Sequence, residues 1–189
     1  TPGGRATIDY TDNVGLAQPG SEQGSGILGV RPRVDLSGRG SRYSVDGTIE
    51  LSGYFYTAGQ RDDQYYTQAN LFGNVEAIER LFFLEGGVNI FQNFLSPLAP
   101  ITTADALQTG NRYTSYVYQL NPYLQGQLKD DTNYLLRWNN RWSDYSSSGL
   151  RSSYASDVIG NIGRPSSPGR RFGWALNYNS NYVKYNAQE

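Results

Sequence analysis

The chain has no cysteine and no histidine among its 189 residues. Without cysteine there is no disulfide framework, no thiolate metal site and no thiol nucleophile, and the composition suits an export route in which stray thiols would cross-link. Without histidine, zinc and haem lose their usual donors, and an acyl-transfer site of the serine type loses its base. No stretch approaches the roughly 18 uninterrupted apolar residues of a membrane-crossing helix. Neither sign of charge dominates: 16 Lys and Arg stand against 17 Asp and Glu, a net charge of -1. No basic block offers a grip on phosphate backbones, so nucleic acid is not an expected partner, and no cofactor is expected.

Apolar residues are also scarce, at 38%, where a soluble globular domain holds nearly half. In their place stand 16 Tyr, 7 Phe, 3 Trp and 22 Gly, with many Asn, Ser and Gln. This mixture suits strands with one oily face, one wet face and aromatic girdles at a membrane interface. It suits a helical core packed with Leu and Ala badly.

The main signal is alternation with a period of two, which sends successive side chains to opposite faces of a strand. From Arg42 to Tyr56, one parity reads Tyr43, Val45, Gly47, Ile49, Leu51, Gly53, Phe55 and the other Ser44, Asp46, Thr48, Glu50, Ser52, Tyr54. The split recurs where Leu28, Val30, Pro32, Val34 and Leu36 alternate with Gly29, Arg31, Arg33 and Asp35. It recurs again in Ala69, Leu71, Gly73 and Val75; in Tyr116, Tyr118, Leu120, Pro122 and Leu124; and in Tyr134, Leu136, Trp138 and Trp142. Runs of this length exceed the roughly 5 or 6 residues of a soluble strand and match the roughly 9 to 11 that cross a bilayer.

Register supplies a second test, because paired strands must put like faces together. Folding about Ser37-Gly38-Arg39-Gly40-Ser41 sets Val34 against Val45, Val30 against Ile49 and Leu28 against Leu51, with Arg33 facing Asp46 and Asp35 facing Ser44. Folding about Ile78-Glu79-Arg80-Leu81 sets Val75 against Leu84, Leu71 against Val88 and Ala69 against Ile90.

Nine strands are expected, near 4–11, 26–37, 41–57, 64–77, 81–93, 112–128, 132–144, 152–163 and 171–186. Long links at 12–25, 57–64, 93–112 and 144–152 alternate with short ones at 37–41, 77–81 and 128–132, as in barrels with long outer loops and tight periplasmic turns. The link 163–171, with Pro165 and Pro168, is longer than that pattern wants. Pro32 and Pro122 fall inside strands, which points to edges, bulges or a local break in the strand assignment, since proline removes a ladder bond. A short helix on an external loop fits Leu95 to Leu107. The fold class is therefore all-β, an antiparallel up-and-down transmembrane β-barrel, with residues 1–189 as one segment of a larger barrel. An odd strand count and a close without a terminal aromatic strand suggest that closing strands are missing or come from another chain. The opening Thr1-Pro2-Gly3 lacks Met, and because a strand follows at once a cleaved secretory leader is expected.

Ile8-Asp9-Tyr10-Thr11-Asp12-Asn13-Val14, the Ser37-Gly38-Arg39-Gly40-Ser41-Arg42 turn and Asn177-Tyr178-Asn179-Ser180-Asn181-Tyr182 resemble the outer-membrane β-barrel family associated with the PEP-CTERM/exosortase system. The likeness runs along the chain, which would correspond to the N-terminal half of such a barrel. It implies an outer-membrane location and a link to exopolysaccharide or surface-protein export, and it carries over no catalytic residue.

The candidate site is the set of inward charges Arg31, Arg33, Asp35, Asp46, Glu50, Glu76, Glu85, Arg137 and Arg141. As a pore lining they would set solute selectivity, whereas in a narrow lumen they would form a salt-bridged filling; the second reading is favoured, since open and plugged barrels share polar interiors. Tyr54, Phe55, Tyr56, Tyr65, Tyr66, Phe82 and Phe83, with Tyr116, Tyr118, Trp138, Trp142, Trp174 and Tyr178, could stack sugars but read more simply as an interfacial girdle. The pairs Asp62-Asp63 and Asp130-Asp131 are taken as solvated turn acids without ligand spacing. Tyr10-Thr11-Asp12-Asn13 offers part of a calcium ligand set, and Gly24-Ser25-Gly26 lacks the Lys and helix of a phosphate loop.

These readings converge on a non-enzymatic, porin-like protein of the Gram-negative outer membrane that acts as a passive pore or as an export or envelope-assembly component. Its partners would be the lipid bilayer, further barrel strands or subunits, or a surface polysaccharide. The alternatives are a structural barrel without conductance and a secreted all-β binding or adhesion protein.

Overall fold

The computed structural model describes residues 1–15, 17–57, 59, 61–96, 111–147, 149–167 and 172–186. Alternating sequence becomes strand throughout: β1 Pro2–Thr11, β2 Ser25–Arg39, β3 Tyr43–Tyr56, β4 Gln64–Ile78, β5 Phe82–Phe94, β6 Arg112–Gln127, β7 Asn133–Tyr145, β8 Ser153–Arg164 and β9 Trp174–Tyr185. All nine lie in one antiparallel sheet in chain order, and the sheet is not closed, so β1 and β9 are free edges. The helical content of the described residues is a single 3-10 turn, Lys129–Asp131. The short helix expected over Leu95 to Leu107 falls, beyond Ser96, outside the described residues.

Two compact units can be distinguished, one made of Thr1–Leu36, Gly47–Asn70 and Ile90–Ser115, the other of Ser37–Asp46, Leu71–Asn89 and Tyr116–Glu189. In the first, β1 lies against β2 with Ala6 opposite Val30 and Ile8 opposite Leu28, so their apolar parities coincide. In the second, Leu136, Gly160 and Tyr178 line up across β7, β8 and β9 on one face, and Asn139, Asp157 and Asn181 on the other.

The β4–β5 hairpin has the expected register. Leu81 donates its N–H to the Ile78 carbonyl at 3.1 Å, and Asn74 reaches Glu85 across the pair. Arg80 takes a left-handed φ of 55° in that turn, and its N–H bonds the Glu76 carboxylate. The β2–β3 register differs from expectation. Gly40 N–H to Tyr43 carbonyl at 2.9 Å and Thr57 N–H to Gly26 carbonyl at 3.0 Å leave only Ser41 and Arg42 in the turn. Val34 therefore sits opposite Ile49, not Val45, and Arg33 sits opposite Glu50, not Asp46. The slip moves each partner by an even number of residues, so both faces keep their character.

Of the placements the sequence leaves open for its two prolines, an edge strand is not the one taken. Pro32 is in β2 opposite Gly4 of β1. Pro122 is in β6, the sixth of nine strands, where its missing N–H would leave a ladder carbonyl bare. Asn140 of β7 stands in for it: its Nδ2 donates to the Leu120 carbonyl at 3.1 Å and the Trp138 carbonyl at 3.4 Å. Asn140 N–H turns to Asn121 Oδ1 at 3.2 Å, and the Asn140 Oδ1 accepts the Tyr154 hydroxyl at 2.6 Å. A residue of the apolar parity is thus buried, with only 4% of its surface exposed, and fully bonded.

Candidate functional site

The candidate residues all lie on the polar parity of their strands within both units, while Arg112, Asp144, Arg164 and Lys184 fall on the other parity at or next to strand ends. In the first unit, Arg33 and Asp35 lie two residues apart on β2, a spacing that aims both the same way. Their ion pair is 2.7 Å long, and the Thr48 hydroxyl donates to Asp35 at 2.7 Å. Both charges remain about half exposed. Arg31 donates to the Tyr54 hydroxyl and lies over that ring, its guanidinium carbon 5.4 Å from the centroid. Tyr54 is 1% exposed, and its ring is 6.3 Å from Tyr66. These two tyrosines belong to the polar face, not to the outer girdle expected of them.

In the second unit, Asp46 accepts the Ser37 hydroxyl at 2.9 Å, and Glu76 is committed to the Arg80 backbone at the turn. Glu85 and Arg137 form an ion pair that is more sheltered than Arg33–Asp35, with side chains 17% and 27% exposed. Asn139 accepts the Arg137 Nε at 2.7 Å. The guanidinium of Arg137 lies 5.1 Å from the Tyr123 ring centroid, and Tyr123 stacks on Phe83 at 4.9 Å with 8° between planes. Asn74 reaches both Glu85, at 3.5 Å, and the Tyr123 hydroxyl, at 3.4 Å. One polar-aromatic cluster therefore ties β4, β5, β6 and β7 together. Phe83, like Tyr54, is moved from the expected girdle to this face.

Arg141 has no ion pair or hydrogen bond within the described residues and borders a recess of about 290 Å³ with Gln119, Asn121, Asn139, Asp157 and Asn181. Of these six, sequence reading singled out Arg141 alone. The parity of β6 and β7 would have placed Gln119, Asn121 and Asn139 beside it, but Asp157 and Asn181 needed the pairings of β8 and β9.

The other candidates resolve into turn chemistry. Asp63 accepts the Tyr56 N–H at 3.3 Å. Asn13 holds Ala17 by two bonds, of 2.8 and 2.7 Å, which employs its carboxamide in the loop. No group of three or more Asp or Glu side chains converges among the described residues. No protein-family model, curated protein or solved structure matches the chain.

Proposed function

We propose that this sheet is an arc of the wall of an outer-membrane β-barrel, apolar face to lipid and polar face to a lumen, working as a passive pore or export component without catalysis. The observation that carries the proposal is the condition of the apolar face. Leu28, Val30, Val34, Val45, Leu51, Val75, Leu120 and Leu136 are each between 37% and 49% exposed. Such a surface in water would be an aggregation site, whereas hydrocarbon is its natural solvent.

Aromatic residues bracket this aliphatic band on the same parity. Tyr134 and Trp142 stand eight residues apart on β7, Trp174 and Tyr182 eight apart on β9, Tyr43 and Phe55 twelve apart on β3, and Phe82 and Phe94 twelve apart on β5. At about 3.3 Å per residue and a tilt of about 40°, these spans cross roughly 20 to 30 Å, against an apolar band of about 25 Å. Trp and Tyr at those two levels are the interfacial belt of a membrane protein. The free edges on β1 and β9 call for closure by further strands, since unpaired backbone is not tolerated in hydrocarbon. The resemblance carried by residues 8–14, 37–42 and 177–182 points to the same compartment.

A second reading, a structural barrel without conductance, draws on the Glu85–Arg137–Tyr123–Asn74 cluster, which fills part of the polar face with bonded side chains. Planar-bilayer recording of the chain refolded in detergent separates the two. Discrete conductance steps are expected of the pore, and silent bilayers with correctly folded protein would leave the structural role. Solubility as a folded protein without detergent would sink the membrane assignment altogether.

A further inference from the structure

We infer that the recess on the polar face of β6–β9 is a binding site for a hydroxylated carboxylate, of the class of a single uronic-acid ring. Hydrogen bonds behind the lining fix which atom each carboxamide turns toward a ligand. Asn121 Oδ1 is occupied by the Asn140 N–H at 3.2 Å, and Asn139 Oδ1 by Arg137 Nε at 2.7 Å, so each has its Nδ2 left to donate. Asn181 Nδ2 is spent on Asp157 Oδ1 at 3.2 Å, which leaves Asn181 Oδ1 and Asp157 Oδ2 to accept.

The result is a sorted site. Along β6 and β7 stand donors, Asn121, Asn139 and the unpaired fork of Arg141; along β8 and β9 stand acceptors, Asp157 and Asn181. A guanidinium fork matches a carboxylate in two parallel bonds. Carboxylate and carboxamide oxygens accept from hydroxyl groups, and Gln119, with no side-chain bond among the described residues, can do either. A ligand that satisfies both sides needs an anionic end and a hydroxyl-bearing end on one compact frame. Bonded second partners that hold the lining in place lower the cost of ordering it on binding. The recess faces away from the aliphatic band, so this inference does not depend on whether the protein conducts.

Calorimetric titration of the full chain in detergent micelles with D-galacturonate, D-galactose and acetate tests it. Galacturonate and galactose share a hydroxyl pattern and differ at the carboxylate, while acetate offers the carboxylate alone. Galacturonate is expected to bind saturably and at least tenfold more tightly than either of the others. In Arg141→Gln its affinity should fall to that of galactose. In Asp157→Asn it should fall several-fold while acetate is unaffected. The inference is overturned if galacturonate shows no saturable binding, if acetate matches it, or if Arg141→Gln leaves it unchanged. Arg141 is exposed, so its replacement should not affect folding; should it do so, Asn181→Ala, on the free edge strand, tests the hydroxyl end instead, where galacturonate affinity should fall several-fold with acetate unaffected, and an unchanged galacturonate affinity would overturn the inference. A silent bilayer with intact titration, or the reverse, tells failure of the pore reading from failure of this one.

Discussion

At the scale of single residues, the most informative position is Asn140. It lies on the apolar parity of β7 and is buried, yet each of its polar atoms has a partner, because Pro122 across the pair cannot supply its share of the ladder. Asn140→Ala strands the carbonyls of Leu120 and Trp138 and the Tyr154 hydroxyl, and at about 1 kcal/mol or more for each lost partner should cost ~3 kcal/mol. Replacing Pro122 with Ala restores the missing N–H and should recover part of that loss. Urea titration of tryptophan fluorescence on the single and double variants measures both, and simple additivity would contradict the compensation. Ion pairs offer a contrast. Glu85 and Arg137 are sheltered, and a double-mutant cycle with Glu85→Gln and Arg137→Gln should give a coupling of ~1–2 kcal/mol, whereas Arg33→Gln with Asp35→Asn, where water screens both charges, should give a clearly smaller one. The sequence names these charges but not their partners, because partner choice depends on register. Tyr54 and Phe83 are misread for a related reason: an aromatic near a strand end suits either face, and only strict parity decides.

At the scale of elements, alternation and loop composition alone place all nine strands within a few residues of their observed ends, since period two leaves little freedom over runs of ten to sixteen residues. Register is less legible. The β4–β5 turn is recoverable because Glu79-Arg80 is the only polar pair between two apolar runs. The Ser37 to Ser41 stretch holds several residues that can turn, and Gly38 and Arg39 end up inside β2. Face assignment survives such slips, and it makes a direct prediction. Leu136→Arg, in the middle of the aliphatic band, should destabilise the protein folded into vesicles by ~2–4 kcal/mol, while Asn161→Arg, on the opposite parity of β8, should change it by ~0.5 kcal/mol or less. Equal effects in a urea titration of vesicle-inserted protein would mean that the two faces do not meet different solvents.

At the scale of the whole molecule, the inward candidates are nearly balanced, with Arg31, Arg33, Arg137 and Arg141 against Asp35, Asp46, Glu50, Glu76 and Glu85, and the net charge is -1. In the proposed pore, a lumen lined in this way would have no strong field of one sign. Bilayer recordings under a salt gradient should therefore reverse within a few millivolts of zero on the cation-selective side, by order of magnitude, and a strongly anion-selective reversal would show that other residues line the path. The strand order sets one more property. Every pairing within the sheet joins strands adjacent in the chain, so each hairpin can add to the last by closing only a short loop. In the proposed barrel, joining the β1 and β9 sides to the strands that complete the wall would be the one event that no neighbouring hairpin can template. Assembly kinetics should therefore split into a fast, hairpin-by-hairpin phase and a single slow seam-sealing step.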